Sequence, residues 1–169
     1  SIPGIRNLIY GKVRKTLLNT FGGNITSIVV GGAAINPQVE EVMRKVGLPY
    51  TVGYGMTECG PIISYAPWNN TKLFSCGKPA PRMEVRIASA DPGKIPGEIQ
   101  VRGANVMLGY FKNEEATAES FTTDGWMRTG DMGIIDEDGY LFIKGRCKSM
   151  ILGPSGQNIY PEEIESVIN

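Results

Sequence analysis

Hydrophobic positions change their spacing twice along this chain. Leu8, Val13, Leu17 and Leu18 recur at helical intervals, and Gly22-Gly23 ends that pattern. Ile25 to Val30 is a short run rich in β-branched residues, which predicts a buried strand. Gly31-Gly32-Ala33-Ala34 reads as a loop. Asn36-Pro37 then supplies a helix cap and a first-turn proline. Val39, Val42, Met43 and Val46 give an apolar stripe that Gly47 closes. Tyr50 to Tyr54 predicts the next strand. Strand, loop, helix and strand in this order make a βαβ unit, so residues 1–72 are expected to form part of a parallel α/β subdomain.

The spacing then shifts to alternation. Met83, Val85 and Ile87 alternate with Glu84 and Arg86, and Ile99 and Val101 alternate with Gln100 and Arg102. Such strands are half buried. Asp91-Pro92-Gly93 and Asp138-Gly139 are turn sequences. Residues 73–147 are therefore expected to form a small, distorted antiparallel β-barrel, interrupted by one short helix near Asn113 to Ser120. Residues 148–169 read as the start of a small α+β C-terminal domain. Pro161 opens a helix there, with Glu162 and Glu163 in its first turn. The sequence ends inside that helix, so the chain is expected to be a piece of a longer protein.

Charge narrows the function classes. Seventeen basic residues balance seventeen acidic ones in 169. No clustered basic face suggests nucleic acid. No apolar run is long enough to span a membrane, which leaves peripheral membrane contact open. Ser1 to Asn7 lack the regions of a signal peptide, which excludes little in a piece of a longer chain; the cytoplasmic location expected here rests on the cysteines. Cys59, Cys76 and Cys147 are odd in number and widely spaced, which favours reduced thiols over a disulfide framework or a zinc site. The chain has no histidine. Ser–His and Cys–His schemes are thereby removed, and catalysis must rest on carboxylates, cations and backbone amides.

Three stretches carry candidate chemistry. Tyr54-Gly55-Met56-Thr57-Glu58 follows a predicted strand, at the carboxyl edge where open α/β sheets bind ligands. Its ring can stack on a base, its threonine hydroxyl can donate to a phosphate, and its glutamate offers the hard oxygen that Mg²⁺ prefers. The plainer reading is an ordinary strand end. In Arg128-Thr129-Gly130-Asp131, the aspartate has two oxygens suited to both ribose hydroxyls; the plainer reading is an Asx-turn. Arg146 suits ribose or phosphate oxygens, against a surface arginine at a strand end. Gly153 to Asn158 has a simple linker as its rival reading.

The order of the motifs is more specific than any one of them. A Gly-Gly-Ala loop, Tyr-Gly-x-Thr-Glu, Gly-Glu-Ile-x-Val-x-Gly, Tyr-x-x-Asn, Asp-Gly-Trp-x-x-Thr-Gly-Asp, Gly-Tyr-x-x-x-x-Gly-Arg and Gln-Asn-Ile-x-Pro-x-Glu-Ile-Glu follow one another. From about Gly31 onward the sequence resembles the adenylate-forming superfamily of acyl-CoA synthetases, luciferases and nonribosomal adenylation domains. The resemblance implies ATP, Mg²⁺ and coenzyme A as reactants alongside a carboxylic acid, with a fatty acid favoured by the segment Met150 to Glu165. It implies that Gly31, Gly32 and Ala33 bring backbone near adenine and acyl group, and that Tyr54, Gly55, Met56 and Thr57 line the nucleotide. Tyr54 would stack on adenine, Thr57 would contact phosphate and Glu58 would hold Mg²⁺. Asp131 would bind the ribose hydroxyls, Ile143 would cover the adenine and Arg146 would bind the ribose or phosphate side. Lys148 matches the hinge before a mobile lid. Gly156, Gln157 and Asn158 would lie beside the pantetheine channel. The superfamily's phosphate loop does not occur in this sequence, and its lid lysine is expected past Asn169. The chain alone is therefore expected to be inactive. A carrier-protein-loading adenylation enzyme and a nucleotide-binding module without turnover are the alternatives.

Overall fold

The computed structural model describes residues 3–152, 158–159 and 161. It opens with helix α1 (Pro3–Thr20), followed by strand β1 (Ile28–Val30), helix α2 (Pro37–Val46) and strand β2 (Tyr50–Val52). β1 and β2 pair in parallel, with Ile28 opposite Tyr50 and Val30 opposite Val52. The α2 crossover makes this the expected βαβ unit. Its caps follow the local chemistry. The Asn36 side chain accepts from the N–H groups of Gln38 and Val39, at 2.9 and 3.3 Å. Gly47 turns the chain left-handed at φ 73°, where a Cβ would be strained.

Two expectations in this unit need correcting. β1 begins at Ile28, three residues after the predicted start, and it is not buried on both faces: Val29 is 63% exposed. Successive strand residues point to opposite faces, and only the face carrying Ile28 packs on the Val46, Leu48 and Tyr50 cluster. The α2 stripe divides in the same way. Met43 and Val46 face that cluster, while Val39 and Val42 are exposed. In their place Glu40 is buried, its Oε1 accepting from the Tyr50 hydroxyl at 3.2 Å and the Phe74 N–H at 3.0 Å. Those partners offset the cost of desolvating a carboxylate.

The remainder is antiparallel. β3 (Tyr54–Gly55), β4 (Ile62–Tyr65) and β5 (Lys78–Pro79) form one sheet in that order. β6 (Met83–Ala88), β7 (Gly97–Gly103), β8 (Met127–Ile135) and β9 (Leu141–Arg146) form a second, a simple meander. The short helix α3 (Glu114–Glu119) lies between β7 and β8, capped by the Asn113 side chain on the Ala116 N–H at 3.0 Å. The barrel-like expectation is met only as a stack. Among the described residues β6 and β9 are not hydrogen-bonded to each other, so the meander stays open. The β4 side chain Ile63 and nearby Cys59 pack instead against Met83, Ile87, Ile99, Val101, Met127 and Leu141 in one core. Sheet against sheet buries these apolar faces without closure.

β10 (Ile151–Leu152) and β11 (Asn158–Ile159) form a final antiparallel pair. Most of the helix predicted from Pro161 lies outside the described residues, as do Gly156 and Gln157.

Candidate nucleotide site

The carboxyl ends of β1 and β2 are tied together by the Gly53 N–H, which donates to the Val30 oxygen at 2.8 Å. Gly31, Gly32 and Ala33 leave β1 at this edge and are exposed. Tyr54 and Gly55 leave β2 beside them. A Cβ on Gly31 would stand 3.3 Å from the Gly53 oxygen, tighter than ordinary contact. The requirement is harsher at Gly55, where a Cβ would lie 2.1 Å from the Pro61 oxygen. Thus the glycine after Tyr54 lets the chain fold back at once. The Met56 N–H closes that return on the Pro61 oxygen at 2.8 Å, and residues Thr57–Cys59 form a short 3-10 turn.

Asp131 reaches the same region from β8. The Tyr54 hydroxyl donates to its Oδ2 at 2.7 Å, and an Arg146 Nη1 donates to its Oδ1 at 2.8 Å. Asp131 and Arg146 stand opposite each other across the β8–β9 ladder. The Asp131 side chain is 9% exposed, whereas that of Arg146 is 62% exposed. Gly130, at φ 71°, swings the backbone before Asp131. Thr129 fastens it: its hydroxyl donates to the Ile99 oxygen at 2.8 Å and accepts from the Asp131 N–H at 3.1 Å. The Asp131 carboxylate therefore does not form a local turn. Asp136 does, with its Oδ1 accepting from the Asp138 and Tyr140 N–H groups. Burial, followed by the Asp131 carboxylate, holds the Tyr54 hydroxyl protonated far above the usual tyrosine range.

Tyr54, Asp131 and Arg146 are thus brought into one cluster. Thr57 is exposed on the turn that follows. Glu58 is half buried, and its Oε1 accepts from the Tyr110 hydroxyl at 2.9 Å. Oε2 has no hydrogen-bond partner among the described residues. A lone carboxylate with a free oxygen fits Mg²⁺, which binds through one or two carboxylates and the phosphates of its nucleotide while keeping several waters. No group of three or more acidic, histidine or cysteine residues gathers a metal among the described residues. Met56 and Ile143 are part-buried and, like Tyr54, pack on the core. Lys148 is exposed in the turn after β9, which is held on either side by Cys147 N–H to Gly130 O at 2.8 Å and Ser149 N–H to Arg146 O at 3.2 Å. Asn158 belongs to β11. All three cysteines are free. No helix among the described residues is long and apolar enough to cross a membrane.

Sequence reasoning gave no role to Tyr110 or Glu40. Tyr110 stands in the Tyr-x-x-Asn motif, which was a usable signal. Glu40 sits between apolar stripe positions and carries no local mark of its burial.

The parallel unit carries an acidic and aromatic cluster at its carboxyl edge, the place where open α/β folds bind small ligands. The chain belongs to the AMP-binding enzyme family, whose description matches residues 6–111, more than half of its length. It is 40% identical over 158 residues to the long-chain-fatty-acid–CoA ligase FadD15 of Mycobacterium bovis, covering 94% of this chain and 24% of that protein. It is also 40% identical over 152 residues to the 2-succinylbenzoate–CoA ligase of Bacillus licheniformis, covering 86% of this chain and 31% of that one. The o-succinylbenzoate CoA synthetase (MenE) from Bacillus subtilis, solved with the acyl-adenylate intermediate OSB-AMP, superposes with a TM-score of 0.77 at 34% identity. That match covers 90% of this chain and 34% of the solved one; the same enzyme is also known with ATP and magnesium ion. The chain therefore spans about a quarter to a third of the relatives it matches.

Proposed function

We propose that these residues form the nucleotide-binding part of an AMP-forming acid–thiol ligase. The observation that carries this reading is the convergence of Tyr54 and Arg146, drawn from β3 and β9, on the buried Asp131 carboxylate of β8. The Asp131 oxygens accept the two ribose hydroxyls of ATP, Arg146 supplies a cation beside them, and the Tyr54 ring lies under the adenine. The Gly31, Gly32 and Ala33 backbone admits the nucleotide and acyl group without side chains in the way. Thr57 donates to a phosphate oxygen. Glu58 would hold magnesium, which when bound neutralises phosphate charge.

The reaction runs in two displacements. A carboxylate oxygen of the acid attacks the α-phosphorus of ATP, and pyrophosphate leaves. The thiol of coenzyme A, losing its proton, then attacks the acyl carbon, and AMP leaves. The first nucleophile is already an anion, so the protein's part is to position groups and stabilise charge. That suits a chain without histidine. Lys148 is the hinge between the two steps, and Gly156, Gln157 and Asn158 line the pantetheine path.

The favoured acid is a fatty acid, supported by the FadD15 relative; the equally similar succinylbenzoate ligase makes that the first competitor. The protein works in the cytoplasm. The 169-residue chain by itself releases no pyrophosphate, because it contains neither the superfamily's phosphate loop nor its lid lysine. The test is ATP–pyrophosphate exchange by the longer protein carrying this chain, against fatty acids and succinylbenzoate, with and without coenzyme A. Acid-dependent exchange, with thioester and AMP formed only when coenzyme A is added, supports the reading. ADP and phosphate as products, or ATP binding with no exchange for any acid, would refute it. Thioester formed only on a carrier protein would favour the carrier-loading alternative.

A further inference from the structure

The loop between β7 and α3 reaches back over the turn that carries Glu58. The Asn105 side-chain amide donates to the Cys59 and Ile62 oxygens. The Met107 N–H donates to the Glu58 backbone oxygen at 2.7 Å. The Tyr110 hydroxyl then reaches the Glu58 carboxylate itself at 2.9 Å. These bonds fix first the turn, then the residue, then one oxygen of its side chain.

Tyr110 is itself held in place. Its N–H donates to the Thr117 hydroxyl at 2.9 Å, and that hydroxyl donates to the Asn113 oxygen at 2.7 Å. Asn113 in turn caps α3. A Cβ on Gly109 would fall 2.7 Å from the Thr117 methyl, so glycine before Tyr110 lets this packing form. A glycine, tyrosine, asparagine and threonine at these intervals thus aim one phenol at one carboxylate across 52 positions of sequence.

We propose that Tyr110 is a positioning residue for the metal-holding Glu58. Its hydroxyl engages Oε1 and restrains the carboxylate, so that Oε2 is presented to the metal–nucleotide complex. The inference rests on the magnesium role assigned to Glu58 above. Hydrogen bonds from an outer partner orient a ligating carboxylate and tune its affinity for the metal.

The experiment uses the longer protein carrying this chain, with Mn²⁺ as a paramagnetic stand-in for Mg²⁺. Electron paramagnetic resonance titration of Mn²⁺ in the presence of ATP gives metal affinity, and calorimetry with metal-free AMP gives nucleotide affinity. Tyr110→Phe keeps the ring and should weaken Mn²⁺ binding by on the order of tenfold while leaving AMP affinity unchanged. Retention of packing and AMP affinity while metal affinity falls separates positioning from support of the fold. Glu58→Gln is the control for the parent reading. If Glu58→Gln leaves Mn²⁺ affinity unchanged, the metal role of Glu58 fails. If Glu58→Gln weakens it but Tyr110→Phe does not, or tightens it, the metal role stands and the positioning inference is overturned. Equal loss of AMP and Mn²⁺ affinity in Tyr110→Phe would also overturn it, by showing a general structural role.

Discussion

The Tyr54 hydroxyl donates to Asp131 Oδ2 at 2.7 Å although the two residues are 77 positions apart. Arg146 occupies the other oxygen, so a ribose must share or displace both bonds when it binds. Tyr54 is thus assigned two separable parts, a ring for the base and a hydroxyl for the carboxylate. Tyr54→Phe should leave ATP affinity unchanged or slightly tighter, because Oδ2 is released. Tyr54→Ala removes the stacking face, worth about 1–3 kcal/mol, and should weaken ATP by roughly tenfold or more. Calorimetry on both variants checks this. A Phe variant as weak as the Ala variant would put the hydroxyl, not the ring, in contact with the nucleotide.

Gly55 is a steric requirement of the same strand end. The Cβ of Gly55→Ala would meet the Pro61 backbone oxygen, which cannot rotate away as a side chain does. Overpacking of this kind costs about 1–3 kcal/mol. Urea unfolding should show that loss. Gly11→Ala, in a helix with open space around it, should be neutral or stabilising by about 0.5–1 kcal/mol.

Lys148 tests the hinge. It lies in the turn where β9 has ended and β10 has not begun. Proline would fix φ near about −65° and remove a donor, which would restrain the rotation that the proposed hinge supplies between the proposed half-reactions. Lys148→Pro should keep pyrophosphate exchange and lose thioester formation, while Lys148→Ala harms both steps much less. Equal loss of both half-reactions in a folded Lys148→Pro protein would remove the hinge role.

The thiols give a test of the fold that is independent of function. Burial, followed by Glu58, holds the Cys59 thiol up at about 11, and burial, followed by Glu40, holds Cys76 up at about 12, both from an ordinary 9.0. The thiolate is the reactive form. Cys147, half exposed, should be alkylated first, and Cys59 and Cys76 only when urea opens the chain; mass spectrometry of labelled peptides reads the order. The sign of the linkage follows. Folded Cys59 and Cys76 keep their protons while their unfolded counterparts ionise, so this stability is present below about pH 9 and declines as pH rises towards about 12.

Some of this architecture was legible in the sequence and some was not, for a physical reason. Asn36-Pro37 and Gly47 mark α2 because caps depend on neighbours a few residues away, and the alternation around Val85 and Val101 marks strands by the same local logic. Whether a meander closes depends on pairing between its outer strands, and no local pattern encodes that. Burial of α2 was misjudged because apolar spacing identifies a stripe without saying what covers it, so Val39 and Val42 are exposed while Glu40 is buried. At the site, Tyr54, Asp131 and Arg146 were each visible in motifs, but their meeting on one carboxylate is a property of the folded chain. Tyr110 was visible only as part of Tyr-x-x-Asn; its bond to Glu58 needed the loop to fold back.

The most direct test concerns Asp131 and the ribose it is assigned to hold. AMP and 2′,3′-dideoxy-AMP differ only in the two hydroxyls, so their affinity ratio isolates that contact. Charge-assisted hydrogen bonds are worth about 1.5–3 kcal/mol each, or roughly tenfold and upward in affinity. In the longer protein carrying this chain, calorimetry should show AMP bound at least about tenfold tighter than the dideoxy compound, and Asp131→Ala should abolish that preference. The same ratio in the parent and in a folded Asp131→Ala protein would contradict the assignment of this carboxylate to the nucleotide.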